Sequence, residues 1–97
     1  MASETRNKFL TATRVLASGT GTLKVRLRLA LVPDLLVLRQ HEMPWPDLWD
    51  RFVTLREEVA PQGRRDVALE QWWDFELGRI AQEIVDLFDE ITRRHST

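Results

Sequence analysis

Between Leu23 and Leu31 every odd position is apolar, and Lys24, Arg26 and Arg28 fill even positions between them. That is the period-two alternation of a half-buried strand. Extended to Gln40, the stretch LKVRLRLALVPDLLVLRQ also fits a helix. At about 100° per residue, Leu23, Leu27, Ala30, Leu31, Leu35 and Leu38 form one apolar sector, and Val25, Leu29, Val32 and Leu36 a second, roughly opposite. A lone strand leaves its backbone donors and acceptors unmet, and the remaining segments read as helices. The pattern therefore predicts a helix over 23–40, kinked at Pro33, where a proline removes one backbone hydrogen bond.

Three further helices follow from spacing. Glu4 to Ala17 aligns Phe9, Leu10, Thr13, Leu16 and Ala17, with Gly19 placed to cap the C-terminus and SGTGT, Ser18 to Thr22, forming a turn that ends in an N-cap threonine. Residues 46–60 open with Pro46 at a first helical position and Asp47 in the first turn; Leu48, Phe52, Leu55 and Val59 then make one narrow stripe. PQGRRD, Pro61 to Asp66, reads as a loop. Beyond Asp66 the pattern is helical, with Leu77, Ile80, Ala81, Ile84, Leu87, Phe88 and Ile91 recurring at three and four. Arg93 and Arg94 close its last turn, and Asp74 could instead cap a separate helix after a short one at 67–73. The expected fold is all-α, a small four-helix bundle with a Pro-kinked second helix, the whole of residues 1–97 being one helical domain.

The stretches ASGTGTLKVRLRLA, MPWPDLWDRF and RIAQEIVDLFDEI resemble a group of short, uncharacterised bacterial proteins of all-helical type. The best marker is the G-x-G-x-L-K-x-R-L run carried here by Gly19, Gly21, Leu23, Lys24, Arg26 and Leu27. The resemblance implies a fold and no activity. In that group the positions of Val25, Leu29 and Trp49 are usually polar, so the second apolar row departs from its pattern and speaks for a partnered state.

Composition narrows the chemistry. The 97 residues are 43% hydrophobic and 30% charged, a globular balance. Cysteine is absent, which removes disulfides, thiol nucleophiles and thiolate metal sites and suits a reducing cytoplasm. MASETRNKF has no signal-like apolar stretch, and the run from Leu29 to Leu38 is too short to span a bilayer, so a soluble, cytoplasmic chain with no membrane contact is expected. Charge is uneven: residues 1–30 carry six basic side chains against Glu4 alone, while residues 31–97 carry eight basic and fourteen acidic. Arg6, Arg14, Lys24, Arg26 and Arg28 could form a nucleic-acid footprint, but basic helices lying beside acidic ones is the favoured explanation.

Candidate sites are few. SGTGTLK could cradle a phosphate at a helix N-terminus, yet it lacks the Gly-Lys-Ser/Thr of a Walker loop and is better read as an interhelical turn. Glu83, Asp86 and Glu90 share a helix side and could hold a cation, but His41 and His95 lie elsewhere and a solvated acidic face is favoured. Ser18 and Ser96 have no recognisable base, which leaves catalysis without support. No catalytic residue, metal, cofactor or small-molecule substrate is expected.

Four tryptophans and no tyrosine are more telling. Trp45 sits between Pro44 and Pro46, Trp49 and Val53 lie beside the Leu48 stripe, and the adjacent Trp72 and Trp73 cannot both enter one core from a regular helix. Val25, Leu29, Val32, Leu36, Trp49 and Val53 are therefore the expected interface for a protein partner or a second copy. A nucleic-acid-binding bundle is the alternative.

Overall fold

The computed structural model describes residues 2–32 and 34–96. Four α-helices are found among them, α1 (Ala2–Ser18), α2 (Leu23–Leu31), α3 (Pro46–Val59) and α4 (Asp74–Ser96), with 3-10 turns at Gln40–Glu42 and Pro61–Gly63 and no strand. The small all-α bundle expected from the spacing is thus the architecture. Its radius of gyration, 12.6 Å, is close to the roughly 13 Å of a compact chain of this length.

Apolar spacing places each helix. Phe9, Ala12 and Leu16 of α1 are buried, and α1 packs chiefly on α4 and α2. Thr5 completes this stripe, fully buried, its hydroxyl donating to the Glu42 carbonyl; Ala17, expected on the buried side, is exposed. On α3 the stripe Leu48, Phe52, Leu55 and Val59 is buried as its spacing predicts. Leu77, Ile80, Ile84, Leu87 and Ile91 line the inner side of α4, with Ala81 and Phe88 packed at its edges. Phe9 meets Phe52 edge-on, ring centroids 6.0 Å apart, which joins α1 to α3 at the centre of the core.

The second helix is shorter than its apolar sector suggests. It ends at Leu31; Val32 is extended (φ −100°, ψ 132°), the conformation favoured before proline, where an α-helical residue would clash with the ring. Residues 34–37 form a turn, so the chain breaks out of the helix rather than bending as one helix to Gln40. The kink assigned to Pro33 itself lies outside the described residues. Leu35 and Leu38 still reach the core, as does Leu36, because a turn can bring neighbouring side chains inward where a helix separates them by about 100°.

Residues 64–73 form a non-helical strap, not a short helix. Val67 and Leu69 are buried, the Ala68 amide donates to the Val59 carbonyl at 2.8 Å, and Asp66 and Glu70 contact α2. Burial of alternate residues 67 and 69 is the extended-chain period. It was masked in the sequence by the helical pattern that follows.

Candidate interaction surface

The turn that launches α2 is built by three residues. Thr22 caps the helix, its Oγ1 accepting the Val25 amide at 3.3 Å. Gly21 has φ +95°, a backbone state that favours glycine. Gly19 is constrained differently: its amide donates to the Val15 carbonyl at 2.9 Å, and a Cβ would stand 2.5 Å from that oxygen and 3.2 Å from Arg26 Cγ. SGTGT is therefore a packed interhelical turn. The Val25 and Arg26 amides, which a phosphate would need, are already bonded to Thr22.

Most of the basic residues named for the N-terminal third are dispersed among internal partners. Arg26 turns back on α1, its Nη1 donating to the Leu16 carbonyl at 2.7 Å and neutralising that helix's negative end. Arg6 lies 5.7 Å from the Phe88 ring centroid. Arg28 grips Asp66 through both carboxylate oxygens at 3.0 and 3.2 Å, which holds the Asp66 carboxyl below its ordinary range and raises the Arg28 guanidinium. Lys24 Nζ donates to the Glu70 carbonyl at 3.3 Å, and Arg14 is exposed on α1.

Between α2 and the strap these contacts frame an open groove of about 240 Å³, with Lys24, Val25 and Arg28 on one wall and Asp66, Leu69 and Glu70 on the other. Val25 and Leu29 stand on successive turns of α2 and are 48% and 57% exposed. These two are the part of the expected interface that faces solvent.

Comparison of the chain with protein-family models, curated proteins and solved structures returned no match.

The rest of the expected interface is corrected by the structure. Leu36 is a core residue, 6% exposed, and Val32 is half-buried against the core, because the helix that would have carried both outward ends at Leu31. Trp49 is half-buried on α3, its ring 5.7 Å from Phe52 and covered by the Arg56 guanidinium at 5.4 Å. Val53 is also half-buried, and the main neighbours of α3 are α4 and the Pro61–Gly63 turn, not α2. The six residues do not share one face.

Two exposed aromatics lie outside the expected interface. Trp73 and Phe75 are 77% and 82% exposed on either side of Asp74, the first residue of α4. Their signal was present: Trp72 takes the inward place of the tryptophan pair and packs on the core, which leaves Trp73 outside, and Phe75 is out of phase with the stripe that begins at Leu77.

Three of the remaining candidates, Glu83, Asp86 and Ser18, have structural partners. Glu83 accepts from Arg51 at 2.6 Å and Asp86 from Gln82 at 2.9 Å, while Glu90 is half-buried; no group of three or more metal-capable side chains occurs among the described residues. Ser18 donates to the Arg14 carbonyl at 2.6 Å, and the side chain of Ser96 lies outside the described residues. His41 and His95 are exposed. No helix among the described residues is long and apolar enough to cross a membrane.

Proposed function

We propose that this chain is a small helical protein-interaction module of the reducing cytoplasm, with no catalysis of its own, that docks a protein partner on the outer face of α2. The observation that carries this reading is the exposure of Val25 and Leu29 beside a groove whose walls hold charges of both signs. Burying the half of each side chain that is still exposed is worth roughly 1 kcal/mol, and an apolar centre with a polar rim is the usual anatomy of a protein interface. The nucleic-acid alternative draws less support. Arg26 is turned back onto the Leu16 carbonyl, and Arg28 is paired with a carboxylate that a phosphate would have to displace.

The test is Val25→Thr combined with Leu29→Ser. Both side chains are exposed, so circular dichroism is expected to be unchanged while a stoichiometric complex, with a second copy or with a protein of the native extract, is lost. A wild-type chain that sediments as an 11.4 kDa species throughout and forms no such complex in the extract overturns the proposal. A salt-sensitive shift with short DNA or RNA would favour the nucleic-acid reading instead.

A further inference from the structure

We propose that the strap at 64–73 is a latch, fastened by the Arg28–Asp66 ion pair, that opens as a unit on a hinge at Gln62 and Gly63 while the four helices stay packed. Opening takes away the groove wall that carries Asp66, Leu69 and Glu70 and uncovers the seats of Val67 and Leu69 on the core. The inference stands without the docking role of that groove.

The helices hold together without the strap. α1 packs directly on α2 and α4, and α2 and α3 each pack on α4. The strap itself is lightly attached: of its ten residues Val67 and Leu69 are buried, Ala68 and Trp72 are half-buried, and the other six are exposed. Its Arg64-to-Pro61 and Trp72-to-Leu69 backbone bonds are local, and among the described residues the Ala68 amide, on the Val59 carbonyl at 2.8 Å, is what ties its backbone to a helix. Few buried apolar side chains and few backbone bonds to the surroundings mark a segment that opens at less than the cost of global unfolding.

Both ends of the strap permit this. At its entry, Gln62 (φ 61°, ψ 33°) and Gly63 (φ 72°) are successive left-handed residues, and residues 61–66 are all exposed. No atom lies within 4 Å of the position a Gly63 Cβ would take, so rotation there meets no packed neighbour, and Gln62 leaves a region that side-chain-bearing residues rarely adopt. At its exit the first turn of α4 closes on itself. The Trp73 amide donates to Glu76 Oε1 at 3.1 Å and the Leu77 amide to the Trp73 carbonyl at 3.0 Å, and neither bond involves α2.

The fastening is polar and lies at the surface. Arg28 donates from Nε and Nη2 to the two Asp66 oxygens at 3.0 and 3.2 Å, and Lys24 Nζ donates to the Glu70 carbonyl at 3.3 Å. The Arg28 and Asp66 side chains are 57% and 52% exposed, so their pair is weak enough to release and is screened by salt. Asp66 Oδ1 also accepts the Val67 amide at 2.8 Å, which couples the fastening to the first buried residue of the strap.

Native-state hydrogen exchange of the full chain tests the latch, under conditions where the rate reads the opening equilibrium. The Ala68 amide is expected to be at least about tenfold less protected than the amides of Leu55 and Ile84, inside α3 and α4, and to depend less steeply on urea. Asp66→Asn keeps an oxygen for the Val67 amide and removes the charge, and should speed Ala68 exchange about two- to fivefold. Arg28→Gln should do the same, and the double variant little more than either, because the two side chains act as one pair. Ile91→Val, about 25 Å along α4 from Asp74, weakens the whole fold; it should speed Leu55 and Ile84 about two- to tenfold and leave Ala68 unchanged. An Ala68 amide that shares the protection and urea dependence of the helix amides, or follows them in the Ile91 variant, overturns separate opening. Ala68 exchange unmoved by Asp66→Asn and by Arg28→Gln overturns the ion pair as the fastening.

Discussion

Asp47, in the first turn of α3, and Arg94, in the last turn of α4, are joined by two parallel hydrogen bonds of 2.7 and 2.6 Å. The pair ties the start of one helix to the end of another, and each charge also sits at the helix end whose dipole favours it.

The first prediction follows from that pair. The Arg94 hydrogen bonds, foremost among the causes, hold the Asp47 carboxyl down at about 2, from an ordinary value near 3.8. A carboxyl depressed on folding contributes stability that is complete above its ordinary value and lost as pH falls through the folded one. Urea unfolding should therefore show an Asp47-linked loss between pH 4 and 2. Arg94→Gln should raise the Asp47 value in a carbon-13 titration and flatten that loss; an unchanged titration would show that the α3 backbone amides alone hold the carboxylate.

Leu36 separates the two accounts of α2. If the helix ran on to Gln40, Leu36→Ala would fall on the outer row and cost little. With the helix ended at Leu31 and Leu36 in the core, the same substitution should cost roughly 2–5 kcal/mol, comparable to Leu27→Ala or Leu35→Ala. Val25→Thr with Leu29→Ser should instead stay within about 0.5 kcal/mol of the wild-type monomer. Denaturant midpoints measured below the association range compare all four.

Two glycines should respond with opposite sign. At Gly19 an alanine methyl meets the Val15 carbonyl, so Gly19→Ala should destabilise by about 1–3 kcal/mol. Gly78 lies inside α4 with no atom near its vacant Cβ position, so Gly78→Ala should stabilise by about 0.5–1 kcal/mol through helix propensity. Paired thermal melts give the signs directly.

Thr5→Val keeps the buried shape and removes the donor to the Glu42 carbonyl. The expected cost is about 1–3 kcal/mol, with faster amide exchange around Gln40–Glu42 as that turn loosens from α1. The side chain of Glu42 would still bind the Arg39 amide at 2.9 Å and Lys8 Nζ at 3.1 Å, so the turn should loosen without being lost.

Apolar spacing alone determined the helical class of this protein, the buried stripes of α3 and α4, and the inward sector Leu27, Ala30, Leu31, Leu35 and Leu38. Its local punctuation was equally legible, since Thr22 and Pro46 act through backbone geometry within one turn. Tertiary structure decided everything that depends on distant segments meeting. The strap at 64–73 exists because Val67 and Leu69 find the core while Asp66 and Glu70 find α2, contacts between residues 38 and 46 positions apart that no local period encodes. Val25 and Leu29, inside the helix, face solvent as the wheel places them, whereas Leu36 went to the core because α2 stopped at Leu31. A wheel drawn through residues 23–40 assumes one continuous axis, and beyond the break it no longer separates inward from outward, since Leu36 joins Leu35 and Leu38 in the core.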